Sequence, residues 1–428
     1  MKKENNDKSA LQKTIDQDLR ELAEHIGARP TGSAPNRKAA GYIKKRFCEH
    51  GWEIETQEFE AIDWKRGSCT LFAGGEAIAV QVNPYSPPCS IEAQAALFRT
   101  LDELAAAPSL ENTIAVLDGE FIVEQIMPKN FVFYNPEEHL RLNHLLEEKA
   151  PAAVIAVAQN THGGDRAEEP QNSASPGPQE PSATSGSSAT PGPPLFADGD
   201  MRIPSVTISA AEGKKLRRSI GQLIKLTIDS KTETSTARNV IARLHPGAPK
   251  KIVVVAHFDT WFDTPGAMDN AVGAAVLLSL PSLLDKIDPG IEIELFANNG
   301  EDYYSSAGSL LYIERSLDIA RTVLAVNIDG IGYRGRETGL SLYDCPASLS
   351  DSIRGAQQSF SHIVDMEPWP EGDHSIFVMQ GVPAIALTTL NIHDLMNTYH
   401  HTHKDRVENI DTKRVAEATE FIAEVLCT

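Results

Sequence analysis

The segment Lys251-Ile-Val-Val-Val-Ala-His-Phe-Asp259 is a short apolar run that ends abruptly in polar residues. Its unbroken, valine-rich stretch predicts a strand that is buried on both faces of a parallel sheet. In open α/β sheets, ligands bind beyond the carboxyl ends of the strands, and this is where His257 and Asp259 lie. The segment therefore predicts the fold class and one edge of a functional site.

The rest of the carboxyl-terminal half repeats this alternation of strand and helix. Strands are predicted at 239–244, 251–256, 291–296, 323–328 and 383–387, and helices at 270–280, 307–316, 349–360 and 412–426. The alternation favours an α/β domain with a mixed, mostly parallel sheet that is flanked by helices. Two helical patterns near the amino terminus, on either side of residues 27–33, are expected to pack on the same sheet.

The sequence between these two parts has a different texture, and 428 residues exceed what one hydrophobic core usually supports. Short apolar runs within 71–230, among them Ile78-Ala-Val-Gln-Val82 as one strand, predict an inserted β-rich domain with a helix at 136–149. Inside it, the segment 164–195 is rich in Pro, Ser, Gly, Ala and Glu, which predicts a disordered loop. We therefore predict a discontinuous main domain, 1–70 and 231–428, that is interrupted by 71–230.

The composition argues against several classes of function. With 39 Lys and Arg against 59 Asp and Glu, the net charge of −20 repels nucleic acid and anionic lipid. The five cysteines are scattered and form no Cys-x-x-Cys pair, so neither a disulfide framework nor a thiolate zinc site is predicted. No apolar stretch of membrane-spanning length or signal-peptide type occurs, and the sequence as written predicts a cytoplasmic protein that does not bind membranes.

Polar residues follow the predicted strands one after another. His257 and Asp259 follow the strand 251–256, Glu301 and Asp302 follow 291–296, and Asp329 follows 323–328. Asp269 begins an apolar helix, and a loop near the carboxyl end supplies His400, His401 and His403. Each alone has an ordinary structural explanation, such as a helix N-cap for Asp269. Together they provide the imidazoles and carboxylates, including one able to bridge, that a two-metal site needs.

Several of these segments resemble the ordered motifs of a known family. The resemblance rests on His257-Phe-Asp-Thr260, Gly266-Ala-Met-Asp-Asn-Ala-Val-Gly273, Asn299-Gly-Glu-Asp302, Asn327-Ile-Asp329 and His401-Thr-His-Lys-Asp405, together with Gly372-Asp-His-Ser-Ile-Phe377 and Ala28-Arg-Pro-Thr-Gly-Ser33. They are similar to motifs of the M28 zinc peptidases, which have the zinc-exopeptidase fold. The inserted segment resembles the protease-associated (PA) domain that such enzymes often carry.

The resemblance implies a specific site with two Zn²⁺ ions, for which Co²⁺ or Mn²⁺ are possible substitutes. Asp269 would bridge the ions, with His257 and Asp329 on one ion and Asp302 and His401 on the other. Glu301 would be the general base, and Asp259 would accept the second ring N–H of His257. The resemblance also implies a cis peptide bond between Asp269 and Asn270.

Two departures from the family pattern leave choices open. Many members have two glutamates where this chain has Glu301 and Asp302, and aspartate is one methylene shorter. The carboxyl-terminal loop offers three histidines, of which His401 opens the His-Thr-x-x-Asp pattern, while His400 and His403 stay as alternatives.

The leading function that the resemblance implies is an aminopeptidase acting on peptide substrates. A carboxypeptidase or dipeptidase of the same chemistry is an alternative, and Arg334 and Arg336 are its candidate carboxylate-binding residues. A glutaminyl cyclase-like enzyme and a non-catalytic, receptor-like homologue are further alternatives. A serine hydrolase is disfavoured because no Gly-x-Ser-x-Gly motif occurs. The sequence does not predict the oligomeric state.

Overall fold

The structure is a computed structural model that describes residues 2–119, 122, 124–132, 135–158, 195–284, 286–396 and 398–427. It divides into two compact units. The first consists of Met1–Trp64, Pro128–Asn135 and Thr232–Thr428, and the second of Lys65–Met127 and Pro136–Lys231. Compared with the predicted boundaries, residues 65–70 group with the second unit and residues 128–135 with the first. The predicted disordered loop, 164–195, lies outside the described residues apart from Leu195.

Strands and helices alternate along most of the described chain. The strands are β1 Glu53–Lys65, β2 Cys69–Ala73, β3 Glu76–Ile78, β4 Gln81–Val82, β5 Cys89–Phe98, β6 Thr113–Leu117, β7 Ala153–Ala158, β8 Ser205–Ser209, β9 Leu223–Ile228, β10 Lys231–Leu244, β11 Lys250–His257, β12 Ile291–Asn298, β13 Thr322–Ile328, β14 Thr338–Tyr343, β15 Ile363–Asp365 and β16 Ala384–Thr389. The helices are α1 Lys2–Arg20, α2 Ala34–Cys48, α3 Leu101–Ala106, α4 Glu137–Lys149, α5 Ala210–Leu216, α6 Val272–Ser279, α7 Ala307–Arg315, α8 Ala347–Gln357, α9 His374–Val378, α10 His393–Met396 and α11 Thr412–Cys427. None of the helices in the described ranges combines the length and apolar character needed to cross a bilayer.

The first unit is built on one mixed sheet with the strand order β1-β10-β12-β11-β13-β16-β14-β15. Its centre, β12-β11-β13-β16, is parallel, whereas β10 and β14 pair antiparallel with their neighbours in this central group. The predicted α/β class with a mixed, mostly parallel sheet is confirmed. The antiparallel strand β14 was not predicted, because its sequence Thr-Gly-Leu-Ser-Leu-Tyr is short and contains glycine, which weakens a strand pattern.

Strand β11 lies at the middle of this sheet and contributes to a hydrophobic core on each face. Ile252, Val254 and Ala256 pack into a cluster that includes residues of α1, α2, α6, α8 and α11. Val253 and Val255 pack into a second cluster with residues of α7 and α9. Successive side chains of a strand point to opposite faces, so burial of both sets explains the unbroken apolar sequence.

The second unit has its own eight-stranded sheet, in the order β3-β2-β9-β5-β6-β7-β8-β4. Neighbouring strands from β5 to β8 are parallel, and β9 pairs antiparallel with both β2 and β5. The predicted single strand at 78–82 is two short strands, β3 and β4, at opposite edges of this sheet. The long strand β5 was not predicted, because alanine, glutamate and glutamine dominate its middle and have low strand propensity.

Candidate metal centre

The central strands bring three of the predicted site segments to one edge of the sheet. His257 is the last residue of β11, and Asp329 directly follows β13, where its N–H donates to the carbonyl of Leu387 at 3.0 Å. Glu301 and Asp302 lie in the loop after β12. Because β12, β11 and β13 are adjacent and parallel, their carboxyl ends gather these side chains.

Asp269 lies in the turn Ala267–Ala271 that precedes α6, and its carboxylate stands between two groups of imidazoles. Its Oδ1 is 3.1 Å from Nε2 of His257. Its Oδ2 is 2.8 Å from Nε2 of His400 and 3.2 Å from Nε2 of His401. The bond between Asp269 and Asn270 is cis, which confirms that expectation. The two oxygens of one carboxylate thus face two separate donor groups, as a bridging ligand requires.

The remaining predicted ligands complete these two groups. On one side, Oδ1 of Asp329 is 3.5 Å from Nε2 of His257, and Oε2 of Glu301 is 4.0 Å from the same nitrogen. On the other side, Oδ1 of Asp302 is 2.9 Å from Nε2 of His401. The third histidine of the loop, His403, is exposed. The structure therefore brings together the five predicted ligands, Glu301 and His400.

The donor atoms of this cluster fit bound metal ions. Within the described part of the chain, five buried atoms here lack a hydrogen-bond partner: Nδ1 and Nε2 of His257, Oδ2 of Asp269, Oδ2 of Asp302 and Nε2 of His401. Buried polar atoms without partners are uncommon in folded proteins. Imidazole nitrogen and carboxylate oxygen are the donors that Zn²⁺ accepts in sites free of cysteine. We therefore conclude that the residues present fit a metal centre.

The charges around the centre shift several pKa values. Burial would lower the pKa of His401, but the carboxylates of Asp302 and Asp269 raise it to about 10. Burial would raise the pKa of Asp269, but His400 and His257 lower it well below its ordinary value. Burial, together with Asp329 and Asp302, raises the pKa of Glu301 well above its ordinary value. Of the two carboxyl groups, that of Glu301 therefore has the stronger tendency to hold a proton.

Asp259 is buried beside the centre, and its carboxylate accepts hydrogen bonds from Gly300 and Thr31 rather than from the imidazole of His257. Its Oδ1 accepts a hydrogen bond from the N–H of Gly300 at 2.8 Å, and its Oδ2 accepts one from the hydroxyl of Thr31 at 2.9 Å. The distance from Oδ1 to Nδ1 of His257 is 3.6 Å, which is longer than a hydrogen bond. Asp259 thereby fixes the residue that precedes Glu301 in the sequence.

Asp405 supports the backbone of Asp269, the predicted bridging residue, a role that sequence reasoning missed. Its two carboxylate oxygens accept the N–H groups of Met268 at 2.7 Å and of Asp269 at 3.0 Å. Burial raises its pKa to about 6, although the two N–H groups oppose this rise. The only sequence signal was its place at the end of the pattern His401-Thr-His-Lys-Asp405.

Arg29 is a second supporting residue for which the sequence assigned no role. It is fully buried, and its guanidinium donates to the carbonyls of Phe258, Pro265 and Gly266. Phe258 follows the ligand His257, and Gly266 opens the turn that carries Asp269. Arg29 therefore ties together the two segments that bear these ligands.

The two arginines proposed from sequence as a carboxylate pocket have structural partners instead. Arg334 donates to the carbonyls of Glu408 at 3.1 Å and Ile410 at 3.0 Å. Arg336 donates to the carbonyl of Asn391 at 2.7 Å and to the carboxylate of Asp394 at 3.2 Å. Both guanidinium groups thus anchor loops, so the two residues that the sequence offered for binding an α-carboxylate are engaged elsewhere.

Comparison with known proteins finds both aminopeptidases and "Carboxypeptidase Q" of Homo sapiens, which is 24% identical over 239 residues that cover 51% of this chain and 48% of that protein. Two relatives are "Probable lipoprotein aminopeptidase LpqL" of Mycobacterium tuberculosis, 25% identical over 338 residues, and "Aminopeptidase YwaD" of Bacillus subtilis, 21% identical over 420 residues. The alignments cover 77% of this chain and 59% of LpqL, and 94% of this chain and 82% of YwaD. The chain thus spans little more than half the length of LpqL.

A solved structure with the same fold is that of BSAP, a zinc aminopeptidase from Bacillus subtilis. It superposes with a TM-score of 0.70 at 19% identity and covers 97% of this chain and 93% of its own. Residues 239–426 match the sequence profile of Peptidase family M28, and this segment contains every predicted metal ligand. This carboxyl-terminal segment is therefore similar to peptidase family M28.

Proposed function

We propose that this protein is a two-zinc aminopeptidase that hydrolyses the amino-terminal peptide bond of peptides. The observation that carries the proposal is the carboxylate of Asp269, which stands between His257 on one side and His400 and His401 on the other. Glu301 lies beside this arrangement, at 4.0 Å from His257. The relatives LpqL and YwaD and the structural neighbour BSAP, which are all named as aminopeptidases, support the same activity.

Each residue of the centre has a defined task in this proposal. His257, Asp329 and the shared Asp269 would hold one zinc ion, and Asp302, His401 and Asp269 the other. Zinc in such a pair supplies Lewis-acid polarisation of a carbonyl and lowers the pKa of water. Glu301 takes the proton of the attacking water and delivers it to the leaving amine, for which its raised pKa is suited.

The contacts of Arg334 and Arg336 favour a substrate with a free amino terminus. The carboxylates of Asp269, Glu301, Asp302 and Asp329 gather here. Arg29 is fully buried, and Arg334 and Arg336 hold backbone carbonyls. Two bound Zn²⁺ ions would offset these four carboxylates, so the preference rests on the two engaged arginines, which leave an α-carboxylate without a partner among them.

The test measures zinc content and hydrolysis of matched chromogenic peptides, with free or acetylated amino termini, for the wild type and Glu301→Gln. We expect two zinc ions per chain, cleavage of the free peptides alone, and a Glu301→Gln variant that keeps its zinc. Loss of a general acid-base group typically costs 10²–10⁴-fold in rate, and we expect a loss of about this size in kcat. Equal cleavage of blocked peptides, or a fully active Glu301→Gln, would contradict the proposal.

A further inference from the structure

Two adjacent histidines, His400 and His401, approach the same oxygen of the bridging aspartate. Nε2 of His400 is 2.8 Å from Oδ2 of Asp269, and Nε2 of His401 is 3.2 Å from it. The centroids of the two rings are 3.9 Å apart, and the ring planes are inclined by 31°. These three side chains form a group whose donor atoms all lie within 4.8 Å of one another. His400, which lies outside the His-Thr-x-x-Asp motif, is therefore as close to Asp269 as the motif residue His401.

The backbone explains how neighbouring residues present both rings to one point. In extended chain, consecutive side chains point in opposite directions. His401 instead has a φ of +54°, in the left-handed region that residues other than glycine seldom adopt. The N–H groups of Tyr399 and His400 both donate to the carbonyl of Leu395, at 2.8 and 3.0 Å, which fixes the turn before His401. The adjacent rings are therefore held side by side by local structure.

An aromatic contact with Trp261 also fixes the ring of His401. Trp261 stacks on His401 with centroids 4.7 Å apart and planes inclined by 6°. His401 is thus packed between Trp261 and His400, and its Nε2 also lies 2.9 Å from Oδ1 of Asp302. The imidazole of His401 thus lies close to the imidazole of His400 and to the carboxylates of Asp269 and Asp302.

We infer that His400 is a metal ligand, so that Asp269, Asp302, His400 and His401 together hold the second ion. The inference rests on the proposed two-zinc function and adds a donor to it. Four protein donors satisfy tetrahedral zinc, as in structural sites, whereas three leave one position for a small molecule. The first group, His257, Asp269 and Asp329, has three donors, and Glu301 lies on its side of the centre. The two ions would therefore be held unequally, the second by four side chains of this chain and the first by three.

The experiment uses the full-length protein, freed of metal and titrated with zinc in competition with a chromophoric chelator. His400→Ala is compared with His403→Ala, a matched control because His403 lies in the same loop and is exposed. We expect the wild type and His403→Ala to bind two ions alike. His400→Ala keeps one ion at wild-type affinity, which also shows that it is folded. It binds the other at least about 10–100-fold more weakly, since loss of even an outer partner costs this much.

X-ray absorption at the zinc edge of the fully loaded proteins separates a ligand from a residue that only hydrogen-bonds to Asp269. We expect three imidazoles over two ions in the wild type and two in His400→Ala. Two imidazoles in both proteins, or unchanged affinity in His400→Ala, would overturn the inference and leave the two-zinc function standing. A wild type that binds fewer than two ions would overturn the proposed function and the inference with it.

Discussion

At the scale of single residues, the buried carboxylate of Asp405 illustrates how the centre depends on groups that touch no metal. It accepts two backbone N–H groups, one of them from the bridging Asp269 itself. A carboxylate is suited to this position because it offers acceptors only, whereas an amide replaces one acceptor by a donor. The direction of the bridging side chain is therefore fixed by hydrogen bonds to its own backbone.

The variant Asp405→Asn tests this role. Its NH₂ group will face one of the two N–H donors, which leaves that donor unsatisfied and displaces the turn that carries Asp269. We expect zinc affinity to fall by about 10–100-fold, as is typical when an outer-shell partner is lost. The measurement is competition with a chromophoric chelator. Asp411→Asn is the control, because Asp411 caps an exposed N–H of Lys413, and asparagine caps equally well. Equal zinc binding by both variants would contradict the assigned role.

At the scale of elements, a buried ion cluster joins the neighbouring strands β10, β12 and β11. Nζ of Lys251 lies 3.0 Å from Oε2 of Glu294, and Nε of Arg243 lies 2.5 Å from the same oxygen. The hydroxyl of Tyr312 donates to the other oxygen of Glu294. The side chains of Lys251 and Glu294 are 3% and 0% exposed, so the pairing replaces hydration almost completely. This cluster connects three neighbouring strands through their side chains.

Removal of one charge from this cluster is expected to destabilise the sheet. Breaking a buried ion pair typically costs 3–5 kcal/mol, because the remaining charge stays desolvated. Arg243 still neutralises Glu294 in Lys251→Met, so we expect about 3 kcal/mol, measured by urea unfolding monitored by circular dichroism. A single variant as stable as the wild type would show that Lys251 contributes no net stability.

At the scale of the whole molecule, the two units have separate hydrophobic cores, and all the predicted metal ligands belong to the first. Zinc that binds only the folded first unit stabilises that unit by mass action. A free zinc concentration 100 times the Kd adds about 2.7 kcal/mol for one site. Metal should thus act on the stability of one unit.

Chelation of zinc is expected to lower the protection of the first unit against hydrogen exchange. Peptides that span β11 and β13 should exchange faster in the zinc-free protein, whereas those that span β6 and β7 should exchange at an unchanged rate. Mass spectrometry of the exchanged peptides provides the measurement, with the zinc-reloaded protein as control. An equal loss of protection in β6 and β7 would mean that the metal stabilises the two units together.

The sequence by itself determined the α/β class and the strand-end positions of His257, Glu301, Asp302 and Asp329. Both follow from local pattern, because a strand buried on two faces is an unbroken apolar run and its end is marked by polar residues. The resemblance of its motifs then indicated the bridging position of Asp269.

Only the tertiary structure decided which distant or adjacent residues complete the site. The contacts of Arg29 with Phe258 and Gly266 and of Asp405 with Asp269 join segments more than a hundred residues apart, which no local pattern specifies. The approach of His400 to Asp269 depends on the left-handed backbone of His401, which the sequence does not reveal. Strands such as β14 likewise form because their neighbours in the sheet pair with them, and this context outweighs their weak intrinsic propensity.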